Sequence, residues 1–259
     1  MIAINFKMLI SIIIPTFNSS QNIQSNLDSI KKQTYLNYEI VVIDNNSTDD
    51  TIKLIKKNNF KNIKTIIEKD SGIYDAVNKG ILNSTGDLVS ILHSDDIYNH
   101  NDVLKNVVNA FNQKKNVEIV YGDLVYVKND DINSVLRYWK PGKFKNDLFL
   151  KGWHPPHPSF FAKKRLFDSY GLYNSKIGNS ADVELMHRFM QIFKINFYYL
   201  NETLIKMRYG GKSNKNIMSI IRQNLEIIKF LNIQNSLYKI IIFFSYKFID
   251  RLKQFIVKK

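Results

Sequence analysis

Three acidic clusters stand at the ends of short apolar runs early in the chain. They are Asp44 in Val41-Val-Ile-Asp-Asn-Asn-Ser-Thr-Asp49, Asp70 in Glu68-Lys-Asp-Ser-Gly-Ile-Tyr-Asp75, and Asp95-Asp96 in Ile91-Leu-His-Ser-Asp-Asp96. A helical pattern follows each. In an open α/β sheet, ligands bind outside the carboxyl ends of the parallel strands. Carboxylates gathered there can hold the ring and ribose of a nucleotide, and a divalent metal on its phosphates. The arrangement points to chemistry on an activated nucleotide.

Taken singly, each acid has a plainer use. Asp44 follows a buried strand, as does the ribose-binding acid of dinucleotide folds. No G-x-G-x-x-G follows the first strand, however, which argues against a nicotinamide enzyme. Asp44 would otherwise cap a helix. Asp95 and Asp96 are the sharper feature, because adjacent carboxylates repel and cost stability unless a cation or donors neutralise them. Mg2+ or Mn2+ bridging a diphosphate would do so. The alternative is that Asp96 simply begins the next helix.

Strand and helix signals alternate from Leu9 to about Asn112, and they supply the scaffold for these acids. Ile10 to Ile14, Glu39 to Ile43, Ile63 to Ile67 and Leu88 to Leu92 read as strands. The first is a continuous β-branched run, as expected of a strand covered on both faces. Ile23/Leu27/Ile30, Ile52/Ile55, Tyr74/Val77/Ile81 and Val103/Val107/Phe111 have helical spacing, with Ser47 or Asp49 as a cap for the second helix. Such alternation predicts parallel strands joined by right-handed crossovers. The pattern then changes. Val117 to Val127 and Val135 to Trp139 read as an antiparallel addition, Ala181 to Phe193 as a helix, and Gly210-Gly-Lys-Ser213 as a break.

The chain has 259 residues, 44% of them hydrophobic, which suffices for a full core. With no cysteine, disulfides, thiolate metal sites and Cys nucleophiles are excluded. The net charge of +14 suits anionic partners or a solvated basic surface. No recognisable nucleic-acid module is present. No stretch reaches the ~18 apolar residues of a membrane span. The segment Met1 to Ile14 lacks a small-residue cleavage site and reads as a first strand, with Met8 an alternative start to Met1.

In order along the chain, five stretches resemble the family-two glycosyltransferases with the GT-A fold. They are Ser11-Ile-Ile-Ile-Pro-Thr-Phe-Asn18, Glu39 to Asp49, Asp70-Ser-Gly-Ile-Tyr-Asp-Ala-Val-Asn-Lys-Gly80, Gly86 to Asp96, and Ala181-Asp-Val-Glu-Leu185. The resemblance implies an α/β fold with a Rossmann-like, mainly parallel sheet flanked by helices, and a C-terminal helical extension. It divides the chain into a catalytic domain over 1–213 and an amphipathic helical tail over 214–259. Within the domain, a nucleotide-sugar half ends near 115 and an acceptor half follows.

The resemblance also implies roles. Pro15, Thr16, Asn18, Asp44, Asp70 and Asp95 would line the nucleotide-sugar site, and Lys79 would reach phosphate. Asp95 and Asp96 would hold Mn2+ or Mg2+; the motif's usual leading Asp or Asn is His93 here, which leaves open which acid ligates. Asp182 would be the general base of an inverting hexosyl or N-acetylhexosaminyl transfer, although a helix-opening acid is also favoured by the macrodipole. The preceding position, often Glu in the family, is Ala181. The donor would be a UDP-sugar and the acceptor a surface glycan or a polyprenyl-linked one. A sugar nucleotidyltransferase would need a Gly- and Arg/Lys-rich loop after the first strand, which is missing. Intact acids argue against a non-catalytic scaffold.

Three further features keep two readings each. His157, in Trp153-His-Pro-Pro-His-Pro158, would contact acceptor or diphosphate, or be a buried structural histidine. Trp153 would stack on a sugar, or pack in the core. The stripe Leu237, Ile241, Phe244, Phe248, Leu252 and Phe255, with lysines around it, would lie on an anionic membrane at the cytoplasmic face or pack against protein.

Overall fold

The computed structural model describes residues 7–210 and 217–256. The start of the first apolar segment, Gly211, Lys212 and Ser213 of the expected break, and Lys258 lie outside the described residues.

Strand β1 (Ile10–Thr16) leads to helix α1 (Ile23–Lys31), β2 (Tyr38–Asp44), α2 (Thr51–Lys57), β3 (Ile63–Ile67), α3 (Ile73–Leu82) and β4 (Leu88–Ile91). A short β5 (Ile97–Tyr98) and α4 (Val103–Gln113) follow, then β6 (Ile119–Val127) and β7 (Val135–Trp139). The remainder is β8 (Phe160–Lys163), α5 (Lys164–Tyr170), α6 (Ala181–His187), β9 (Phe197–Arg208), α7 (Ile217–Phe230) and α8 (Leu237–Ile256).

One sheet runs β3-β2-β1-β4-β8-β6-β9-β5, and β7 pairs with β6 off this path. β1 to β4 are mutually parallel, as the alternation predicts. β8 is antiparallel to both β4 and β6, and β7 is antiparallel to β6. β6 and β9 are parallel, with register shifts at Gly122/Asp123 and Asp123/Leu124.

The β-branched runs are buried on both faces, so consecutive residues serve different cores. Ile13, Val41, Ile43, Val89 and Ile91 join the core under α3 and α6. Ile10, Ile12, Ile14, Ile40 and Val42 join the one under α1 and α4. α3 lies close on β1 because Gly80 has no side chain; a Cβ there would sit 2.3 Å from Ile13 Cγ2.

The helix expected over Ala181 to Phe193 is divided. α6 ends at His187 and a π-helical turn, Arg188–Ile192, follows. At this junction Arg188 pairs with Glu184, Nε to Oε1 at 2.8 Å, and donates to the carbonyls of Tyr170, Gly171 and Leu172. It thereby fastens the loop leading to Tyr173.

α8 lies against β7 and the 149–151 turn, with Phe243 fully buried. The six residues of the C-terminal stripe are all on its outer side, from 42% exposed at Phe244 to 74% at Leu237. The side of α8 that packs carries Phe243, with Ile240 and Tyr246 partly buried beside it; within the stripe, the Phe255 ring lies 5.8 Å from the Arg137 guanidinium. No helix among the described residues is long and apolar enough to cross a membrane.

Candidate active site

The loops after β1, β2 and β3 are tied into one surface. Pro15 and Thr16 end β1 and pair with Ile43 and Asp44, and the Thr16 hydroxyl turns back to Ile14 O. Asn18 adopts φ 46°, a left-handed conformation that Asn tolerates. Its N–H donates to Ser47 Oγ at 2.8 Å, and its Oδ1 accepts from Thr48 N–H at 2.9 Å. Asp44 is fully buried and accepts from Ser47 twice, from N–H at 2.7 Å and from Oγ–H at 2.6 Å. It shapes the turn before α2 and does not cap that helix, whose N-cap is Asp50.

Asp70 continues this surface. Its N–H donates to Asn45 Oδ1 at 2.9 Å, and its Oδ1 accepts from Gly72 N–H at 3.0 Å. Lys79, expected near phosphate, donates to Lys69 O at 2.7 Å and pairs with Glu68 and Asp75 at 3.4 and 3.6 Å. Its charge is taken up by the acids beside Asp70.

The paired acids do not share one environment. Asp95 is partly exposed, whereas Asp96 is fully enclosed and neither of its oxygens has a hydrogen-bond donor. Burial and the neighbouring Asp95 push the Asp96 carboxyl well above the usual range; Arg208 opposes this. Arg208 also braces the loop, donating to Asp95 O at 2.7 Å and Ser25 Oγ at 3.0 Å. Of the two acids expected to hold a metal, Asp95 is the accessible one in this conformation, and Asp96 lies enclosed beside it. Hard oxygen donors suit Mg2+ or Mn2+, and a cation beside Asp95 would favour ionisation of Asp96, whose buried oxygens have no hydrogen-bond donor. Among the described residues no three His, Asp or Glu side chains converge as a ready-made cage. Such ions are commonly completed by water and substrate phosphate.

Asp182 opens α6 and gathers groups from four other segments. Its Oδ1 is buried and unpartnered. Burial raises its pKa, while the His154 ring and a hydrogen bond from Tyr74 oppose that rise. Tyr74 of α3 stacks on Tyr173 with ring centres 5.4 Å apart, and the Tyr173 hydroxyl lies 3.0 Å from His157 Nε2. His93 completes the wall, 5.7 Å from the His157 ring. Asn78 holds the loop carrying Tyr173 through both of that residue's backbone groups, at 2.8 and 2.9 Å.

Burial pushes His157 down to about 3 and His154 to about 4, so both rings are neutral at physiological pH. His157 is a buried, hydrogen-bonded histidine that forms part of the wall beside Asp182. Trp153, considered for sugar stacking, is corrected: it is 5% exposed, packs on Phe144 and Phe149, and donates Nε1–H to Pro141 O at 2.8 Å. The ring nearest His154 is Trp139, edge-on at 5.2 Å.

Sequence reading missed Tyr74, Tyr173 and Arg208. Tyr74 looked like a core position of an amphipathic helix, and its place in Asp70-Ser-Gly-Ile-Tyr-Asp was the available signal. The other two come from distant segments that no local spacing connects.

Comparisons with known proteins follow the same lines. The profile described as Glycosyl transferase family 2 matches residues 11–171, more than half of the chain. A "PGL/p-HBAD biosynthesis glycosyltransferase" of Mycobacterium bovis (strain BCG / Pasteur 1173P2) is 29% identical over 210 residues, covering 80% of this chain and 79% of its own. An "uncharacterized glycosyltransferase" of Rickettsia felis is 30% identical over 221 residues, 82% of this chain and 36% of that one. Among solved structures, S. aureus TarS 1-349 in complex with UDP-GlcNAc superposes with TM-score 0.63 at 18% identity, over 89% of this chain and 73% of that one. This chain spans 44% of the longer TarS chain. The mannosyltransferase PcManGT from Pyrobaculum calidifontis, in complex with GDP-Man and Mn2+, gives TM-score 0.61 at 19% identity, over 86% and 63% of the two chains. The chain belongs to glycosyl transferase family 2 and is a glycosyltransferase of the GT-A fold.

Proposed function

We propose that this glycosyltransferase moves a sugar, with inversion, from a nucleotide-sugar donor to a hydroxyl of a glycan or lipid-linked acceptor. Asp182 carries the reading: it is a raised-pKa carboxylate with an enclosed, unpartnered oxygen. Such a group suits a general base, which must lie within hydrogen-bond reach of the acceptor hydroxyl. As that hydroxyl attacks the anomeric carbon, its proton passes to Asp182 and the nucleoside diphosphate departs from the opposite face. No covalent enzyme intermediate is needed.

The loops of Pro15, Thr16, Asn18, Asp44 and Asp70 would seat the nucleoside, and Asp95 would hold Mn2+ or Mg2+. When bound, a divalent cation stabilises charge developing on the leaving diphosphate. His154 and His157, neutral and fixed, keep the cleft wall polar without competing for the proton. A UDP-sugar is the foremost donor; the UDP-GlcNAc of TarS and the GDP-Man of PcManGT support a nucleotide sugar, and the Mn2+ of the latter supports the cation.

The exposed stripe of α8, with Lys239, Arg251 and Lys253 beside it, supports peripheral attachment to an anionic membrane, at the cytoplasmic face where nucleotide sugars are made. Screening UDP-, GDP- and dTDP-sugars for donor hydrolysis with Mn2+ or Mg2+ tests the proposal. Hydrolysis of one donor, lost in Asp182→Asn, is expected; no hydrolysis with any of them would sink it.

A further inference from the structure

One side chain stands between the paired acids and the base. His93 begins the turn that ends in Asp95 and Asp96, closed by a hydrogen bond from Asp96 N–H to His93 O at 2.9 Å. Asn26 Nδ2 donates to His93 O and to Asp96 O, each at 2.8 Å. The Ser94 and Ser19 hydroxyls meet at 2.8 Å. The backbone of His93 is thus held from α1 and from the loop after β1, independently of its ring.

The ring turns toward the base. Its centre is 5.7 Å from the His157 ring, which lies 6.1 Å from Tyr74, edge-on. Tyr74 is the tyrosine hydrogen-bonded to Asp182, and the charges of Asp95 and Asp182 both act on His93. His157 uses Nε2 on the Tyr173 hydroxyl, and His154 uses Nδ1 on Pro155 O. Among the described residues neither ring nitrogen of His93 has a hydrogen-bond partner, and neither is sealed from the cleft.

Inversion fixes what lies in front of it. The anomeric carbon is bonded to a diphosphate oxygen on one face and meets the acceptor hydroxyl on the opposite face. The transferred sugar therefore lies between the acid that holds the cation and the base. A neutral imidazole presents one N–H donor and one nitrogen acceptor. A sugar hydroxyl both donates and accepts, so it matches either nitrogen.

We propose that His93 hydrogen-bonds a hydroxyl of the transferred sugar and sets which nucleotide sugar is used. The proposal rests on the reading of Asp95 as cation holder and Asp182 as base. Sites that hydrogen-bond a substrate hydroxyl discriminate strongly, because an unmatched sugar leaves their polar atoms unpaired.

Titration calorimetry with Mn2+ on the full chain would compare wild type, His93→Phe, which keeps a ring against His157, and His93→Asn, which keeps a donor and an acceptor. The probes are UDP, UDP-glucose, UDP-galactose and UDP-GlcNAc. His93→Phe should lose about tenfold or more in affinity for the best-bound sugar nucleotide, the scale of one hydrogen bond, and should bind the three sugars alike. UDP affinity should be equal in all three proteins, and His93→Asn should recover part of the sugar preference. Should His93→Phe not fold, His93→Ala gives the same comparison. A sugar preference unchanged in the variant would overturn the proposal, as would wild-type protein that binds the sugars no more tightly than UDP. An equal loss of UDP affinity would also overturn it, placing His93 on the nucleotide. Wild-type protein that binds none of the four would sink the UDP-sugar reading and this proposal together. Preference lost in His93→Phe, with turnover surviving in Asp182→Asn, would keep the His93 contact and remove the base.

Discussion

The Tyr173 hydroxyl and His157 Nε2 are 3.0 Å apart, and each is the other's means of being buried beside Asp182. Removing one leaves a polar group enclosed without its partner, which costs about 1–3 kcal/mol. Tyr173→Phe should therefore lower the thermal midpoint while leaving the sheet intact by circular dichroism. An unchanged midpoint would mean that water replaces the hydroxyl.

Asp182→Asn keeps shape and removes basicity. Turnover should fall ~10²-fold or more, with donor affinity nearly unchanged. Because burial raises the Asp182 pKa, the acid limb of the wild-type rate profile should lie above the ~3.9 of a free aspartate. Rate rises with pH through that limb as the carboxylate ionises. Loss of donor affinity with turnover preserved would make Asp182 a binding residue.

The unequal exposure of Asp95 and Asp96 predicts unequal metal phenotypes. Asp95→Asn should abolish the Mn2+-dependent strengthening of UDP binding, and Asp96→Asn should weaken it less. Chelation of metal should mimic Asp95→Asn in the wild type. Equal UDP affinity with Mn2+ and with chelator would end the assignment.

Asp123, on β6 at the register shift, accepts from the Tyr199 hydroxyl at 2.6 Å. Burial pushes its pKa up to about 6, with Tyr199 and Lys140 opposing. The folded chain thus holds this proton more tightly than the unfolded one. Its contribution is most favourable when protonated, is lost as pH rises toward about 6, and stays constant above. Asp123→Asn should remove that component, seen as a flatter melting temperature between pH about 4 and 7. Parallel profiles for the two proteins would contradict it.

The apolar outer side of α8 should govern vesicle binding. Phe244→Glu with Phe248→Glu should abolish co-sedimentation with phosphatidylglycerol-rich vesicles at low salt, and UDP binding should persist. Wild-type protein that stays in the supernatant, yet dimerises until these residues are changed, would assign the surface to a second copy.

The parallel strands β1, β2 and β4 were legible as buried apolar runs between helical patterns, and the half-exposed edge strand β3 by its β-branched residues in the same alternation. The acids at their ends were legible because strand ends set where ligands bind. Local rules thus fixed the existence and approximate placement of Asp44, Asp70, Asp95 and Asp182. The antiparallel insertion of β8 between β4 and β6 was not legible, since pairing partners distant in sequence leave no periodicity.

What only tertiary structure decided is which side of each group meets water. Asp95 and Asp96 are chemically alike and adjacent, yet one is partly exposed and the other enclosed behind Arg208, which arrives from β9. Trp153 reads in sequence as a sugar platform or a core residue, and its packing against Phe144 and Phe149 is what tertiary structure adds. On α8, spacing put six apolar residues on one side, but hydrophobic periodicity says only that a side exists. The sheet and the 149–153 turn chose the side of Phe243 and Lys247 to cover, leaving the more apolar one exposed. Burial depends on the shape of the surface that arrives, and that surface is built from residues far along the chain.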